Sequence, residues 1–227
     1  LALGAWRLAD IVRLILVPST VAPSGPKHSL TLIFIVLYNA PTRSPETLMR
    51  ISSLLSYAGG FKEAVVEIQE LEKAGLDLVW VPEAYSFDAP SAMGYLAAQT
   101  EHVTIASGIL PVYTRTPSLL AMTAAGIDYL SDGRCMLGLG ASGPQVIEGF
   151  HGIPYTSPVA RIREVIEICR SVWRRDRVQH MGTHYQIPLP QDQGTGLGKP
   201  LKLINHPVRE EIPIAIASLG PQRVAMT

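Results

Sequence analysis

Apolar and polar positions follow two regimes that change near residue 49. Residues 1–48 are short apolar runs broken by Pro and Ser, as in Val17-Pro18-Ser19-Thr20 and Pro41-Thr42-Arg43-Ser44-Pro45. Within them, Leu3 to Val17 fits a short helix with Arg7, Asp10 and Arg13 on its polar side. Leu30 to Tyr38 is an apolar run preceded by Lys27 and His28, with the flanks of a signal-peptide core but far short of a membrane span. The chain begins at Leu1 and its first methionine is Met49. This predicts that translation starts at Met49, that residues 1–48 are a mis-called extension, and that one domain occupies 49–227.

From Met49 the period alternates between strand and helix. Arg50–Tyr57 reads as a strand and Ala58-Gly59-Gly60 as a turn. Phe61–Ala74 has helical spacing of Val65, Ile68 and Leu71, with Gly75 as its stop. Leu76–Pro82 is a buried strand, Pro90–Thr100 a helix and Val103–Leu110 a third strand. Pro117–Leu130 is a helix with Thr116 as N-cap and Pro117 in its first position. Arg134–Gly140 is a fourth strand. A helix from Ser157-Pro158 to Trp173 carries a stripe of Ile162, Val165, Ile166, Cys169 and Val172. Val178–Ile187 reads as a hairpin turning at Met181-Gly182-Thr183. Gln191–Lys199 is a Gly-rich loop, Ile212–Ala217 a fifth strand, and Pro221 opens a last helix.

Strands alternating with helices imply parallel βαβ units in an α/β fold, and continuous apolar strands imply a sheet covered on both faces. An open doubly wound sheet and a (β/α)8 barrel both remain open at this point. A barrel needs about 250 residues, so five strands would be five of its eight units.

Composition narrows the function classes. Hydrophobic residues make up 47% and charged residues 17% of 227, a core-forming mixture. Nineteen basic residues balance nineteen acidic ones, which removes the basic excess that nucleic-acid binding shows. The two cysteines, Cys135 and Cys169, make neither a disulfide scaffold nor a CxxC zinc pair, so the expectation is a metal-free protein of the reducing cytoplasm. No run is long enough for a membrane span.

Several local motifs bear on chemistry. Gly138-Leu139-Gly140-Ala141-Ser142-Gly143 matches GxGxxG after a strand. A dinucleotide site also needs an acidic residue about 20 positions on, at a strand end. Glu164 falls inside a helix instead, so the segment reads as a strand-end loop where backbone approaches a ligand or another strand. Pro144 breaks the GxSxG spacing at Ser142 and excludes a nucleophile elbow. His180 and His184 flank a turn and read as exposed hairpin residues, while Trp80 reads as core. Glu83, at the carboxyl end of the second strand, is a ligand-facing carboxylate or a helix cap. Arg115, after the third strand, is an anion contact or a structural salt bridge.

Taken together, Leu78-Val79-Trp80-Val81-Pro82-Glu83, Ser107-Gly108-Ile109-Leu110-Pro111 with Tyr113-Thr114-Arg115-Thr116-Pro117, Leu130-Ser131-Asp132-Gly133-Arg134, Leu137–Gln145 and Ala217-Ser218-Leu219-Gly220-Pro221 resemble the luciferase-like monooxygenase superfamily. The stretch from Ala141 to Gly152 is similar to its branch that uses coenzyme F420. The resemblance covers Met49 to Thr227 and implies a partial (β/α)8 barrel with a deazaflavin at the carboxyl ends of the strands. It implies a bulge with a non-prolyl cis peptide at Ser107-Gly108 or Gly108-Ile109, backing the cofactor ring. It implies cofactor contacts from Ser107, Gly108, Ile109, Gly140, Ala141, Ser142, Gly143, Ala217, Ser218, Gly220 and Pro221. The implied activity is hydride transfer between F420 and a small organic substrate, with Glu83 as polar contact or proton relay. Alternatives are an FMN-dependent monooxygenase, a non-catalytic deazaflavin binder or an inactive fragment. Some relatives carry Asp-His where this chain has Glu83-Ala84, so a histidine proton step and a sugar-phosphate substrate are not implied. The closing strands lie beyond Thr227, so the chain by itself is not expected to be competent. A homodimer is expected only of the whole protein.

Overall fold

The computed structural model describes the backbone of residues 13–16 and 33–37, and residues 50–56 and 60–217 in full. Its parallel core consists of β3 (Arg50–Leu54), β4 (Leu78–Val81), β5 (Thr104–Ser107), β7 (Cys135–Gly140) and β10 (Ile214–Ile216), with a two-residue β6 (Leu110–Pro111) also on β7. The helices α1 (Phe61–Lys73), α2 (Ala89–Gln99), α3 (Pro117–Leu130) and α5 (Pro158–Trp173) connect these strands, with a short α4 (Pro144–Ile147) before α5. Each parallel strand lies beside its predecessor in the chain. A doubly wound sheet would reverse direction at a switch point. The order here advances without reversal, as the staves of a barrel do.

Alternation along the strands separates two faces. Val79, Val81, Ile105, Leu137, Leu139, Ile214 and Ile216 face the helices and form the main core with them. Leu78, Trp80, Ala106, Met136 and Ala215 form a second cluster made of strand residues alone, on the opposite, inner face. All four long helices therefore cover one side. That is a (β/α)8 arrangement represented by part of the barrel, and Trp80 is core as expected.

Local signals explain the helix boundaries. The Thr116 side chain accepts a hydrogen bond from the Leu119 N–H at 3.2 Å, with Pro117 in the first position of α3. Asp88 caps α2 in the same way through Ser91, so the helix opens at Ala89, one residue before Pro90. Pro158 opens α5, but Ser157 stands in the left-handed region and makes no side-chain cap. Ile168 joins the buried stripe of α5, and the expected Ile166 packs against the core half-buried. The adjoining Trp173 reaches α3, its indole N–H donating to the Ala121 carbonyl at 3.0 Å.

Polar clamps gather at the amino ends of the strands. The Arg134 guanidinium donates to the carbonyls of Ala97, Thr100 and Val103, which closes the end of α2. Glu72 accepts from the N–H groups of Glu101, His102 and Val103. Asp128, fully buried, is bridged at 2.5 and 3.1 Å by Arg209, which binds the segment before β10 to the start of β7. In barrels of this type, the amino edge serves stability and the carboxyl edge carries chemistry.

Two expectations need correction. The helix expected over Leu3–Val17 contains a strand: β1 (Arg13–Leu16) pairs antiparallel with β2 (Ile33–Leu37), and β2 pairs antiparallel with β3. A run as short as Leu-Ile-Leu fits either period, and strand pairing decides it. His180 and His184 are half-buried rather than exposed. They belong to a hairpin, β8 (His180–Met181) and β9 (Gln186–Ile187), that lies against α5. The other residues of 1–48, the turn residues Ala58 and Gly59, and the helix expected from Pro221 lie outside the described residues.

Candidate active site at the carboxyl edge of the sheet

The carboxyl ends of β4, β5, β7 and β10 lie side by side along one edge of the sheet, and the chain leaves β5, β7 and β10 with small residues. β5 ends at Ser107, which is fully buried. Its hydroxyl donates to the Gly138 carbonyl and accepts from the Gly138 N–H, both at 2.8 Å. Ser107 is thus committed to the β5–β7 seam. The peptide that follows, Gly108-Ile109, is cis, at the second of the two expected positions. The Gly108 N–H donates to the Val81 carbonyl at 2.7 Å, and a Cβ at 108 would stand 3.2 Å from Trp80 Cβ. A side chain at 108 would be tight against Trp80 Cβ, so glycine eases this approach of the two strands.

Ile109, Gly140 and Ala217 meet at one point. A Cβ at Gly140 would fall 2.8 Å from Ile109 Cγ1 and 3.3 Å from Ala217 Cβ. The Val112 N–H donates to the Gly140 carbonyl at 3.0 Å, and the Ala217 N–H to the Leu139 carbonyl at 2.9 Å. Ala141 is buried, while Ser142 and Gly143 emerge half-buried. Ser142 has φ 56, and Gly143 leads into α4. Gly108, Ile109, Gly140, Ala141, Ser142, Gly143 and Ala217 therefore line one backbone-rich edge. Ser107 lies beneath it, with its hydroxyl turned into the sheet. Ser218, Gly220 and Pro221 lie outside the described residues.

Glu83 stands two residues beyond β4. Its Oε1 accepts from Arg115 Nη1 at 2.5 Å, and its Oε2 accepts from Arg115 Nη2 at 2.9 Å and from the Ala89 N–H at 2.7 Å. For each residue the geometry shows the structural alternative: Glu83 accepts the first N–H of α2, and Arg115 forms a forked salt bridge with it. The pair is largely buried, with side-chain exposures of 9% for Glu83 and 14% for Arg115.

The loops above this edge carry aromatic rings that local sequence patterns do not mark. Tyr85 and Phe150, both exposed, approach to 6.4 Å between centroids and link the loop after β4 to the one after α4. Tyr155 donates to the Ser142 carbonyl at 3.3 Å and packs on Tyr113 at 5.2 Å. Tyr185 donates to the Val112 carbonyl at 3.2 Å. Arg161 lies over the rings of Tyr113 and Tyr185. The hairpin supplying Tyr185 is fastened by Glu164. Partial burial alone would raise that carboxyl, but N–H groups of His184 and Tyr185, the His180 ring and the Thr183 N–H together hold it below its usual value. Both thiols are buried, and burial pushes Cys169 up to about 12 and raises Cys135 as well. No group of three or more metal-ligating side chains occurs among the described residues. No described helix is long and apolar enough to cross a membrane.

Three comparisons place this geometry among known proteins. A Mycobacterium tuberculosis protein named as a coenzyme F420-dependent oxidoreductase, Rv3520c, is 44% identical over 156 residues, covering 68% of this chain and 45% of that protein. The F420-dependent glucose-6-phosphate dehydrogenase of Amycolatopsis mediterranei is 27% identical over 175 residues, covering 71% and 49%. The chain thus spans about half the length of these curated relatives. In three dimensions it resembles the coenzyme F420-dependent tetrahydromethanopterin reductase of Methanopyrus kandleri, with a TM-score of 0.65, 20% identity, and coverage of 76% of this chain and 50% of that one. The model of the luciferase-like monooxygenase family matches residues 42–227. On that match, the chain belongs to the luciferase-like monooxygenase family.

Proposed function

We propose that this chain is the cofactor-binding part of an oxidoreductase that transfers a hydride between coenzyme F420 and a small organic substrate. The observation that carries the reading is the junction of Ile109, Gly140 and Ala217. There, three adjacent strands end in backbone and small side chains beside the Gly108-Ile109 peptide. The names of the relatives support F420 as the group held there.

A flat tricyclic ring suits such an edge, because it needs a surface of peptide planes with no long side chain across it. Ile109 would back the ring, and Gly140, Ala141, Ser142 and Gly143 would offer backbone groups to it. Ala217 would close the far side. When bound, the deazaflavin supplies hydride chemistry, and the protein supplies position and exclusion of water.

Glu83 is a positioning residue in this scheme. Both its oxygens accept charge-assisted bonds, so it aims the Arg115 guanidinium and anchors α2. Arg115 is then the polar group offered to the substrate. Since this pair occupies the end of β4, and Ala84 follows Glu83, glucose 6-phosphate is not the proposed substrate.

The test is made on the whole protein. Its absorption spectrum after purification from an F420-producing host is expected to carry the deazaflavin band near the cofactor's own. Under anaerobic conditions reduced F420 is then oxidised by a panel of small carbonyl and enone compounds. Co-purification of FMN with oxygen-dependent turnover would overturn the reading in favour of a flavin monooxygenase.

A further inference from the structure

Ser142 is a non-glycine residue in the left-handed region, with φ 56, in the middle of the loop assigned to the cofactor. Such a conformation is disfavoured for an L-residue and persists where surrounding contacts impose it. The described contact at its carbonyl comes from a distant residue: Tyr155 Oη donates to the Ser142 carbonyl at 3.3 Å.

Tyr155 is itself fixed. Its ring packs on Tyr113 at 5.2 Å between centroids. Tyr113 Oη donates to the Thr156 carbonyl at 2.7 Å, the residue next to Tyr155, and Arg161 Nε donates to the same carbonyl at 3.1 Å. Arg161 also covers the Tyr113 and Tyr185 rings at 5.4 and 5.7 Å. Tyr185 in turn holds Val112, whose N–H binds the Gly140 carbonyl. Both ends of the loop are thus held by tyrosine hydroxyls presented from outside the barrel strands: the Gly140 end through Val112, the Ser142 end directly.

We propose that Tyr155 is a positioning residue that holds the Gly140–Gly143 loop in its cofactor-receiving conformation by binding the Ser142 carbonyl. The inference rests on the assignment of that loop to F420. Pre-set loops of this kind bind more tightly because the ordering is complete before the ligand arrives.

Two measurements on the whole protein separate this inference from the cofactor assignment. Tyr155→Phe keeps the ring on Tyr113 and removes only the hydroxyl. Without cofactor, hydrogen exchange at Val146 and Ile147, whose amides bind the Gly143 carbonyl, is expected to quicken in Tyr155→Phe while β7 keeps its protection. With F420, fluorescence titration is expected to show about 5- to 10-fold weaker binding, the size of one lost hydrogen bond. Adding Ser142→Gly to Tyr155→Phe is expected to return affinity to within about threefold of the parent, because glycine adopts positive φ without strain. Unchanged exchange at 146–147, or a loss of affinity that Ser142→Gly leaves in place, would overturn the positioning role. If exchange quickens in Tyr155→Phe but the parent protein does not bind F420, the hold of Tyr155 on the loop stands and the assignment of that loop to F420 is overturned.

Discussion

Ser107 and Gly138 exchange two hydrogen bonds across the β5–β7 seam, and a Cβ on Gly138 would run into the Ser107 carbonyl oxygen. The first glycine of the GxGxxG-like segment is therefore there to let two strands close on each other. Gly138→Ala forces backbone against backbone, which no rotamer change relieves. The expected loss is about 1–3 kcal/mol, the usual range for overpacking, read as a lower denaturant midpoint at unchanged slope. Wild-type stability in Gly138→Ala would contradict the packing described for this seam.

Glu83→Ala leaves Arg115 largely buried without its carboxylate. Breaking one partner of such a pair costs about 3–5 kcal/mol, much of it the stranded charge. Removing Arg115 as well is expected to recover part of that loss, so the double variant Glu83→Ala/Arg115→Met should be more stable than Glu83→Ala alone. A double-mutant cycle with no coupling would show that the two residues act independently. The kcat/KM of Glu83→Gln is expected to fall through a raised KM, since the amide holds Arg115 less firmly.

Gly108→Val places a branched side chain where even a Cβ stands 3.2 Å from Trp80 Cβ and 3.8 Å from the Val81 carbonyl oxygen. Either the indole or the bulge must move, and the bulge is the proposed backing for the cofactor ring. F420 affinity in the whole protein is expected to drop at least about tenfold, or about 1.4 kcal/mol. Unchanged affinity by fluorescence titration would mean that the ring sits elsewhere.

Glu164 is expected to make the β8–β9 hairpin acid-sensitive. Its carboxyl is held below the ordinary carboxylate value: burial acts the other way and is outweighed by the N–H groups and the His180 ring that it accepts from. A depressed carboxylate contributes stability that is fully present above its unfolded value and is lost as pH falls through the lower folded value. Exchange of the Tyr185 amide should therefore stay slow at neutral pH and quicken only below about pH 4.5. In Glu164→Gln it should be quick throughout. Equal protection of Tyr185 in both proteins at neutral pH would remove Glu164 as the fastener.

What was legible in the sequence is what local patterns encode. The apolar runs of β4, β5 and β7, the Thr116-Pro117 start of α3 and the glycine stop at Gly75 each reflect a neighbour-to-neighbour requirement. Their order was enough to place the candidate site at the carboxyl edge. The contacts of Ser107 with Gly138, Tyr155 with Ser142, and Arg209 with Asp128 span 31, 13 and 81 residues. No periodicity marks such pairs. β1 was misread because a four-residue apolar strand fits the helical period equally well. Ile168 adds to the expected stripe of α5, while Ile166 packs against the core at its half-buried margin.

Equilibrium titration of the whole protein with oxidised F420, followed by quenching of the cofactor's fluorescence and paired with the same titration using FMN, tests the cofactor assignment most directly. The expected result is saturable F420 binding at micromolar Kd or tighter, about −8 kcal/mol or better, with FMN binding at least about tenfold weaker, or about 1.4 kcal/mol. Tighter binding of FMN, or no saturable binding of F420, would contradict a deazaflavin seated on the edge formed by Ile109, Gly140 and Ala217.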